Sequence, residues 1–101
     1  MNIFKNLFGP KADLKAIKEA GAVIIDVRTA GEYSTGHIPG SLNIPLDTLG
    51  SKIIELRNKK KPLITVCRSG ARSGMAKAQL ESAGLEVYNG GPWDSLIKQL
   101  A

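Results

Sequence analysis

The strongest constraint on the fold is a pair of continuous apolar runs, each about the length of one strand. They read AVIIDV, over residues 22–27, and PLITVC, over residues 62–67. Runs of this kind are typical of strands that are covered on both faces, as in a parallel sheet. Segments with helical patterning alternate with them, which predicts βαβ units and helices on both sides of the sheet.

The other predicted elements follow from local signals. Gly21 and Gly84 end the helices predicted over residues 13–20 and 73–83. We also predict a short helical turn around Glu32, an extended segment over 42–46, a strand over 85–91 and a last helix over 92–100. Between these lies a helix capped by Asp47, with four apolar residues on one face: Leu49, Ile53, Ile54 and Leu56.

The length of 101 residues suits one domain, which we place over residues 12–101. Residues 1–11 form a separate N-terminal segment, expected to be an edge strand or a short helix. Its apolar residues are expected to pack on the domain rather than on a membrane surface; they are Ile3, Phe4, Leu7 and Phe8. No apolar run approaches the roughly 20 residues of a membrane span.

Composition narrows the partners and the compartment. The net charge of +5 favours an anionic partner. No basic face interleaved with aromatic residues is present, so nucleic-acid binding is not expected. A single cysteine excludes an internal disulfide and suits a cytoplasmic protein. No Cys/His cluster is present to bind zinc, and no cofactor is expected.

The segment CRSGARS begins with the only cysteine, Cys67, at the predicted carboxyl end of a strand and just before a helix. Backbone N–H groups at such a junction lack strand and helix partners, and Gly70 allows a tight path around an anion. A thiol in that position ionises more readily than a free cysteine. Arg68 and Arg72 add positive charge that can bind an oxyanion. The alternative, an inert buried cysteine, is disfavoured by this setting.

Two chemistries use a cysteine in a ring of N–H groups closed by an arginine: phosphoryl transfer and sulfur transfer. Here four residues separate Cys67 from Arg72, whereas the cysteine phosphatases resemble one another in having five. The tighter ring suits the single outer sulfur of a persulfide better than a tetrahedral phosphate.

Three segments together resemble the single-domain rhodaneses, a family of sulfurtransferases. The segment IIDVRTAGEYSTGHIPGSLNIPL, over residues 24–46, is similar to the family's first signature, VCRSGARS to its active loop and YNGGPWDSL to its carboxyl-terminal Gly-Gly and Trp. They occur in the family's order and cover nearly the whole chain. The resemblance implies a three-layer α/β/α fold on a mostly parallel sheet of about five strands.

The resemblance also implies a mechanism. The Cys67 thiolate attacks the outer sulfur of a donor such as thiosulfate, sulfite leaves, and a persulfide forms that a thiol or cyanide then discharges. The persulfide-binding loop is implied to comprise Arg68, Ser69, Gly70, Ala71, Arg72 and Ser73. Protein sulfur acceptors are a further class of partner, and a carrier that relays sulfur between proteins is the alternative function.

Other residues have structural and chemical interpretations. Asp26, Arg28 and Glu32 are interpreted as a charge cluster that braces the loops, because an unpaired charge in a buried strand is costly. Arg68 has the better claim to substrate contact, whereas Arg72 either binds substrate or braces the loop. His37 is expected at a turn away from the thiol. A phosphatase, an arsenate reductase and an inactive interaction module are disfavoured by the loop length, the single cysteine and the two arginines.

Overall fold

The computed structural model describes residues 12–101, which contain six helical segments and four strands. In chain order they are α1 (Leu14–Glu19), β1 (Val23–Asp26), α2 (Ala30–Ser34), β2 (Leu42–Asn43), a 3₁₀ helix (Leu46–Lys52), α3 (Ile53–Asn58), β3 (Leu63–Cys67), α4 (Ala71–Ser82), β4 (Val87–Pro92) and α5 (Trp93–Leu100). The predicted N-terminal segment, residues 1–11, lies outside the described residues.

The four strands form one sheet in the order β2-β1-β3-β4, and every neighbouring pair is parallel. This confirms the parallel α/β class. The expected sheet had about five strands, whereas residues 12–101 supply four. The expected edge strand falls within residues 1–11.

Side chains alternate between two apolar layers along each central strand, because successive residues of a strand point to opposite faces. In β1, Ile25 packs with Leu56 of α3 and Leu80 of α4, whereas Ile24 belongs to the second layer, which contains Leu96 of α5. The result is the predicted three-layer arrangement. Among residues 12–101, no helix is long and apolar enough to cross a membrane.

The segment after β2 corrects one prediction. It begins as a 3₁₀ helix at Leu46 with Pro45 at its N-cap, so Asp47 lies inside the first turn and caps nothing. Leu49 and Leu56 are buried as predicted, but Ile54 is 70% exposed. The shared face was wrong for Ile54, because within α3 it lies two residues before Leu56 and therefore about 160° around the helix from it.

The parallel register places the ends of β1 and β3 at the same edge of the sheet, as predicted. Asp26 pairs with Val66, and the N–H of Val27 donates to the carbonyl of Val66 at 3.0 Å. Cys67 is the last residue of β3 and is fully buried. The segments that follow β1, β3 and β4 therefore meet around the thiol.

Candidate active site around Cys67

The Cys67 sulfur lies inside the loop that joins β3 to α4. Its Sγ accepts hydrogen bonds from the backbone N–H groups of Gly70, at 3.0 Å, and Ser73, at 3.3 Å. The Ser73 Oγ lies 3.4 Å from the sulfur. Gly70 has a φ of +104°, which closes the loop around the sulfur and would strain any residue with a side chain. Gly70 and Ser73 follow Cys67 within six residues of sequence, and the loop brings their polar groups to the Cys67 sulfur.

These contacts decide the charge of the sulfur. Burial alone raises the pKa of the Cys67 thiol, because it disfavours the thiolate. Hydrogen bonds from the side chain and backbone of Ser73 and from the backbone of Gly70 and Ser69 lower it. The stabilising bonds prevail, so the pKa of Cys67 lies below its ordinary value of 9.0. A thiolate is thus accessible without a neighbouring general base.

Arg72 pairs with Glu32 of α2. Its two terminal nitrogens bond to the two carboxylate oxygens at 2.7 and 2.9 Å. The Arg72 guanidinium, together with the N–H of Thr29, holds the pKa of Glu32 well below its usual range. The Glu32 carboxylate in turn raises the pKa of Arg72. Of the two roles that the sequence left open for Arg72, this geometry is that of a brace.

Glu32 is itself held by a capping box at the start of α2. The Thr29 hydroxyl accepts from the Glu32 N–H at 3.2 Å, and the Glu32 carboxylate accepts from the Thr29 N–H at 3.0 Å. Such reciprocal bonds fix the first turn of a helix. The carboxylate that receives Arg72 is therefore preset by its own helix.

Asp26 and Arg28 form a second, buried brace. The Arg28 guanidinium bonds to both Asp26 oxygens, with the shortest distance 2.7 Å, and both side chains are almost fully buried. Arg28 also donates to the carbonyls of Glu32 and Gly36, and it lies 4.8 Å over the Trp93 ring. The pair ties the segment after β1 to the start of α5, and neither residue hydrogen-bonds to Cys67.

The remaining loop residues face solvent or lie beside it. Arg68, Ser69 and Ala71 are exposed, and Arg68 forms no ion pair within residues 12–101. His37 donates from Nδ1 to the Tyr33 carbonyl at 2.8 Å and stacks on the Tyr33 ring, so it does not bond to the thiol. Arg68 is thus the loop cation that is open to a bound anion.

A cavity of about 290 Å³ lies beside the loop. It is lined by Val27, Thr29, Pro45, Leu46, Asp47 and Arg72. This volume suits a small molecule. Within residues 12–101, no cluster of three or more His, Cys, Asp or Glu side chains is arranged to hold a metal ion.

Sequence reasoning missed one residue of the site, Asn89. Its Oδ1 accepts from the Ser73 hydroxyl at 2.7 Å and from the Gly91 N–H at 2.9 Å. The signal available was its position directly before the Gly90-Gly91 pair, within a segment that already resembled a family motif.

Comparison with known proteins places the chain among sulfur-handling proteins. The family model described as "Rhodanese-like domain" matches residues 10–91. Thiosulfate sulfurtransferase GlpE of Pseudomonas savastanoi pv. phaseolicola is 34% identical over 90 residues, which are 88% of this chain and 82% of that protein.

Two relatives come from Bacillus subtilis. The uncharacterized protein YqhL is 42% identical over 82 residues, and the putative sulfur carrier protein YrkF is 34% identical over 82 residues. Each alignment covers 76% of this chain, but it covers 64% of YqhL and 44% of YrkF.

A solved structure gives the same result. A rhodanese with anions from E. coli superposes with a TM-score of 0.68 at 32% identity, covering 73% of this chain and 89% of that one.

Proposed function

The chain belongs to the rhodanese-like domain family, and we propose that it is a sulfurtransferase that takes a sulfane sulfur from thiosulfate and passes it to a thiol or cyanide. The observation that carries the proposal is the position of the Cys67 sulfur, 3.0 and 3.3 Å from two backbone N–H groups. These bonds favour the thiolate, which is the nucleophilic form of cysteine.

The reaction runs in two displacements. The Cys67 thiolate attacks the outer sulfur of thiosulfate, a new S–S bond forms, and the old S–S bond breaks as sulfite leaves with its electron pair. The acceptor's nucleophile then attacks the outer sulfur of the persulfide, and Cys67 leaves as a thiolate. The two half-reactions share one covalent intermediate, so ping-pong kinetics are expected.

The loop also suits the intermediate. We expect main-chain N–H groups from Arg68 to Ser73 to hold the outer sulfur, which carries negative charge in the persulfide. The N–H groups of Gly70 and Ser73 already bond to the Cys67 sulfur. Four residues between Cys67 and Arg72 make a ring fitted to one additional sulfur atom rather than to a phosphate. Ser69 and Ala71 contribute backbone rather than side chain in this scheme.

Arg68 supplies attraction for the donor. Arg72 has its guanidinium engaged by Glu32, whereas Arg68 is exposed and has no ion-pair partner in the described part of the chain. Thiosulfate is a dianion, and an exposed arginine next to Cys67 raises the local concentration of thiosulfate. The net charge of +5 acts in the same direction.

A second function, a carrier that receives sulfur from a protein and hands it to another, is favoured by a different observation. Only one of the two loop arginines is open to an anion, which weakens the site for thiosulfate. The similarity to YrkF, whose name is putative sulfur carrier protein, supports this alternative. Cys67 is the only cysteine, so an outside acceptor must remove the sulfur in either case.

Steady-state kinetics separate the two. The purified protein should form thiocyanate from thiosulfate and cyanide, with parallel double-reciprocal plots and full dependence on Cys67. If Cys67 gains sulfur readily from a cysteine desulfurase while thiosulfate turnover stays at the level of Cys67→Ala, the carrier function replaces the proposed one.

A further inference from the structure

Strand β4 contains a bulge directly beside the candidate active site. Thr65 pairs with Asn89, but the next residue, Val66, pairs with Gly91, so Gly90 is an extra residue in β4. A Cβ on Gly90 would lie 2.9 Å from side-chain carbons of Ile64 and Val66. A bulge of this kind bends a strand and redirects its side chains. Asn89 itself precedes the extra residue and pairs with Thr65, whose hydroxyl bonds to the Ser73 carbonyl, so the Asn89 amide lies on the same face of the sheet as the loop that holds Cys67.

Three bonds fix the Asn89 side chain. Its Oδ1 accepts from the Gly91 N–H at 2.9 Å and from the Ser73 hydroxyl at 2.7 Å, and its Nδ2 lies 3.4 Å from the Gly70 carbonyl. The opposite orientation of the amide would set two donors against each other at Gly91. The oxygen of Asn89 therefore faces the Ser73 hydroxyl.

The Ser73 hydroxyl has one hydrogen and three possible acceptors. Asn89 Oδ1 lies at 2.7 Å, the Gly70 carbonyl at 3.0 Å and the Cys67 sulfur at 3.4 Å. The backbone of Ser73 is held separately, because its carbonyl accepts from the buried Thr65 hydroxyl at 2.9 Å. The direction of the hydroxyl hydrogen can thus change while the residue stays in place.

We propose that Asn89 is a positioning residue for Cys67 that competes with the Cys67 sulfur for the hydrogen bond donated by the Ser73 hydroxyl. The hydroxyl donates to Asn89 while the sulfur is protonated and to the sulfur when the sulfur carries charge. As a thiol, Cys67 donates to Ser73 Oγ, and Ser73 donates to Asn89. As a thiolate, the sulfur accepts the Ser73 hydrogen, and the Asn89 bond is given up. Asn89 therefore stabilises the thiol relative to the thiolate.

The inference rests on the proposed role of Cys67 but not on the identity of the sulfur donor. It is tested by the ionisation of Cys67, which needs no sulfur transfer. The charged groups around the sulfur are Arg68 and Arg72 of its own loop, Glu32 of α2, which pairs with Arg72, and the buried Asp26–Arg28 pair at the end of β1. All of these are left intact in the variants below.

The experiment is the rate of iodoacetamide alkylation of the full-length protein between pH 5 and 10, read by intact mass. One cysteine in the chain makes the signal unambiguous. Asn89→Ala removes the competing acceptor and should lower the midpoint by about half a pH unit, as expected for one neutral hydrogen bond. Asn89→Asp offers a stronger acceptor and should raise it by about one pH unit.

The same substitutions in a Ser73→Ala background test the route. The Asn89→Ala shift should vanish, and the Asn89→Asp shift should fall by at least half, leaving only the effect of charge through space. Asn58→Asp is the matched control, because Asn58 is exposed at the end of α3. The substitution adds the same charge before the start of β3, whereas Cys67 lies at the end of that strand. It should leave the midpoint unchanged.

Two results overturn the proposal. An upward shift in Asn89→Ala would mean that the side chain only supports the loop, since a loosened loop weakens the N–H bonds to the thiolate. Shifts of equal size with and without Ser73 would mean that the hydroxyl takes no part. If Asn89→Ala fails to fold, Asn89→Asp with and without Ser73→Ala decides the question alone.

Discussion

Arg72 and Glu32, 40 residues apart in the sequence, form a bidentate salt bridge, with Nη1–Oε1 at 2.7 Å and Nη2–Oε2 at 2.9 Å. Arg72 belongs to the first turn of α4, directly after the loop that holds Cys67, and Glu32 belongs to α2. The pair therefore fastens the loop to the segment that follows β1. Two parallel bonds of this kind set geometry as well as attraction.

The first prediction is that Arg72 and Glu32 act as one unit in persulfide formation. Arg72→Ala and Glu32→Gln should each slow the reaction of Cys67 with thiosulfate about tenfold, because coupled residues share roughly 0.5–3 kcal/mol. Gln is chosen because it keeps the capping box with Thr29. Single-turnover rates measured by sulfite release give the values.

The double variant supplies the check on this coupling. With both partners changed, the rate should fall no further than in the slower single variant. A drop of about a hundredfold, the product of the two single effects, would show that Arg72 and Glu32 act independently.

The second prediction concerns acid stability. The folded-state pKa of Glu32 lies below its ordinary value of 4.5, chiefly because of Arg72, so its contribution to stability is present above that value and is lost as the pH falls toward the folded-state pKa. Urea unfolding should show Glu32→Gln less stable than wild type at pH 7, with a smaller gap at pH 3.

Glu55→Gln is the control for this experiment, because Glu55 is exposed and forms no ion pair within residues 12–101. It should track the wild type at both pH values. A gap for Glu32→Gln that is equally large at pH 7 and pH 3 would argue against the role of the ionised carboxylate.

The third prediction assigns donor attraction to Arg68. Arg68→Gln should raise the KM for thiosulfate about tenfold and leave the alkylation of Cys67 by neutral iodoacetamide nearly unchanged, because an exposed cation acts on a charged substrate. Its effect should shrink at high salt. Lys61→Gln removes the same charge just before β3, at the other end of the strand from Cys67, and should change neither the KM for thiosulfate nor the alkylation rate. An unchanged KM in Arg68→Gln would remove Arg68 from the site.

The fourth prediction concerns the bulge in β4. Gly90→Ala should destabilise the fold by about 1–3 kcal/mol, because the added methyl meets Ile64 and Val66 at 2.9 Å. Gly31→Ala is the matched control, since a Cβ there meets nothing within 4 Å and the residue lies in α2. It should be neutral or stabilising by up to about 1 kcal/mol. Equal effects of the two substitutions in urea unfolding would contradict the assigned role of Gly90.

The sequence was sufficient to predict the sheet and the place of Cys67, because both depend on short-range patterns. A continuous apolar run predicts a buried strand, and a glycine-containing junction before a helix predicts free N–H groups. The parallel arrangement then brings the ends of β1 and β3 together. The capping box at Thr29 and Glu32 is likewise a local signal that agrees with the helical turn expected there.

The partners of the loop were beyond sequence reasoning for a physical reason. The Arg72 guanidinium could bind either a substrate anion or a carboxylate of the chain, and which of them it binds depends on where α2 lies relative to α4. Asn89 reaches Ser73 because it pairs with Thr65 on the face of the sheet that carries α4, and this register appears only when β3 and β4 are paired. Ile54 was misplaced for a simpler reason, since it lies on the opposite side of α3 from the buried Leu56.

A persulfide on Cys67 is tested by the intact mass of the protein after incubation with thiosulfate, with Cys67→Ala treated in parallel. The wild type should gain the mass of one sulfur atom, cyanide should remove that sulfur with release of thiocyanate, and Cys67→Ala should gain nothing. A wild-type protein that stays unmodified, or a Cys67→Ala variant that gains sulfur equally, would contradict a persulfide on Cys67.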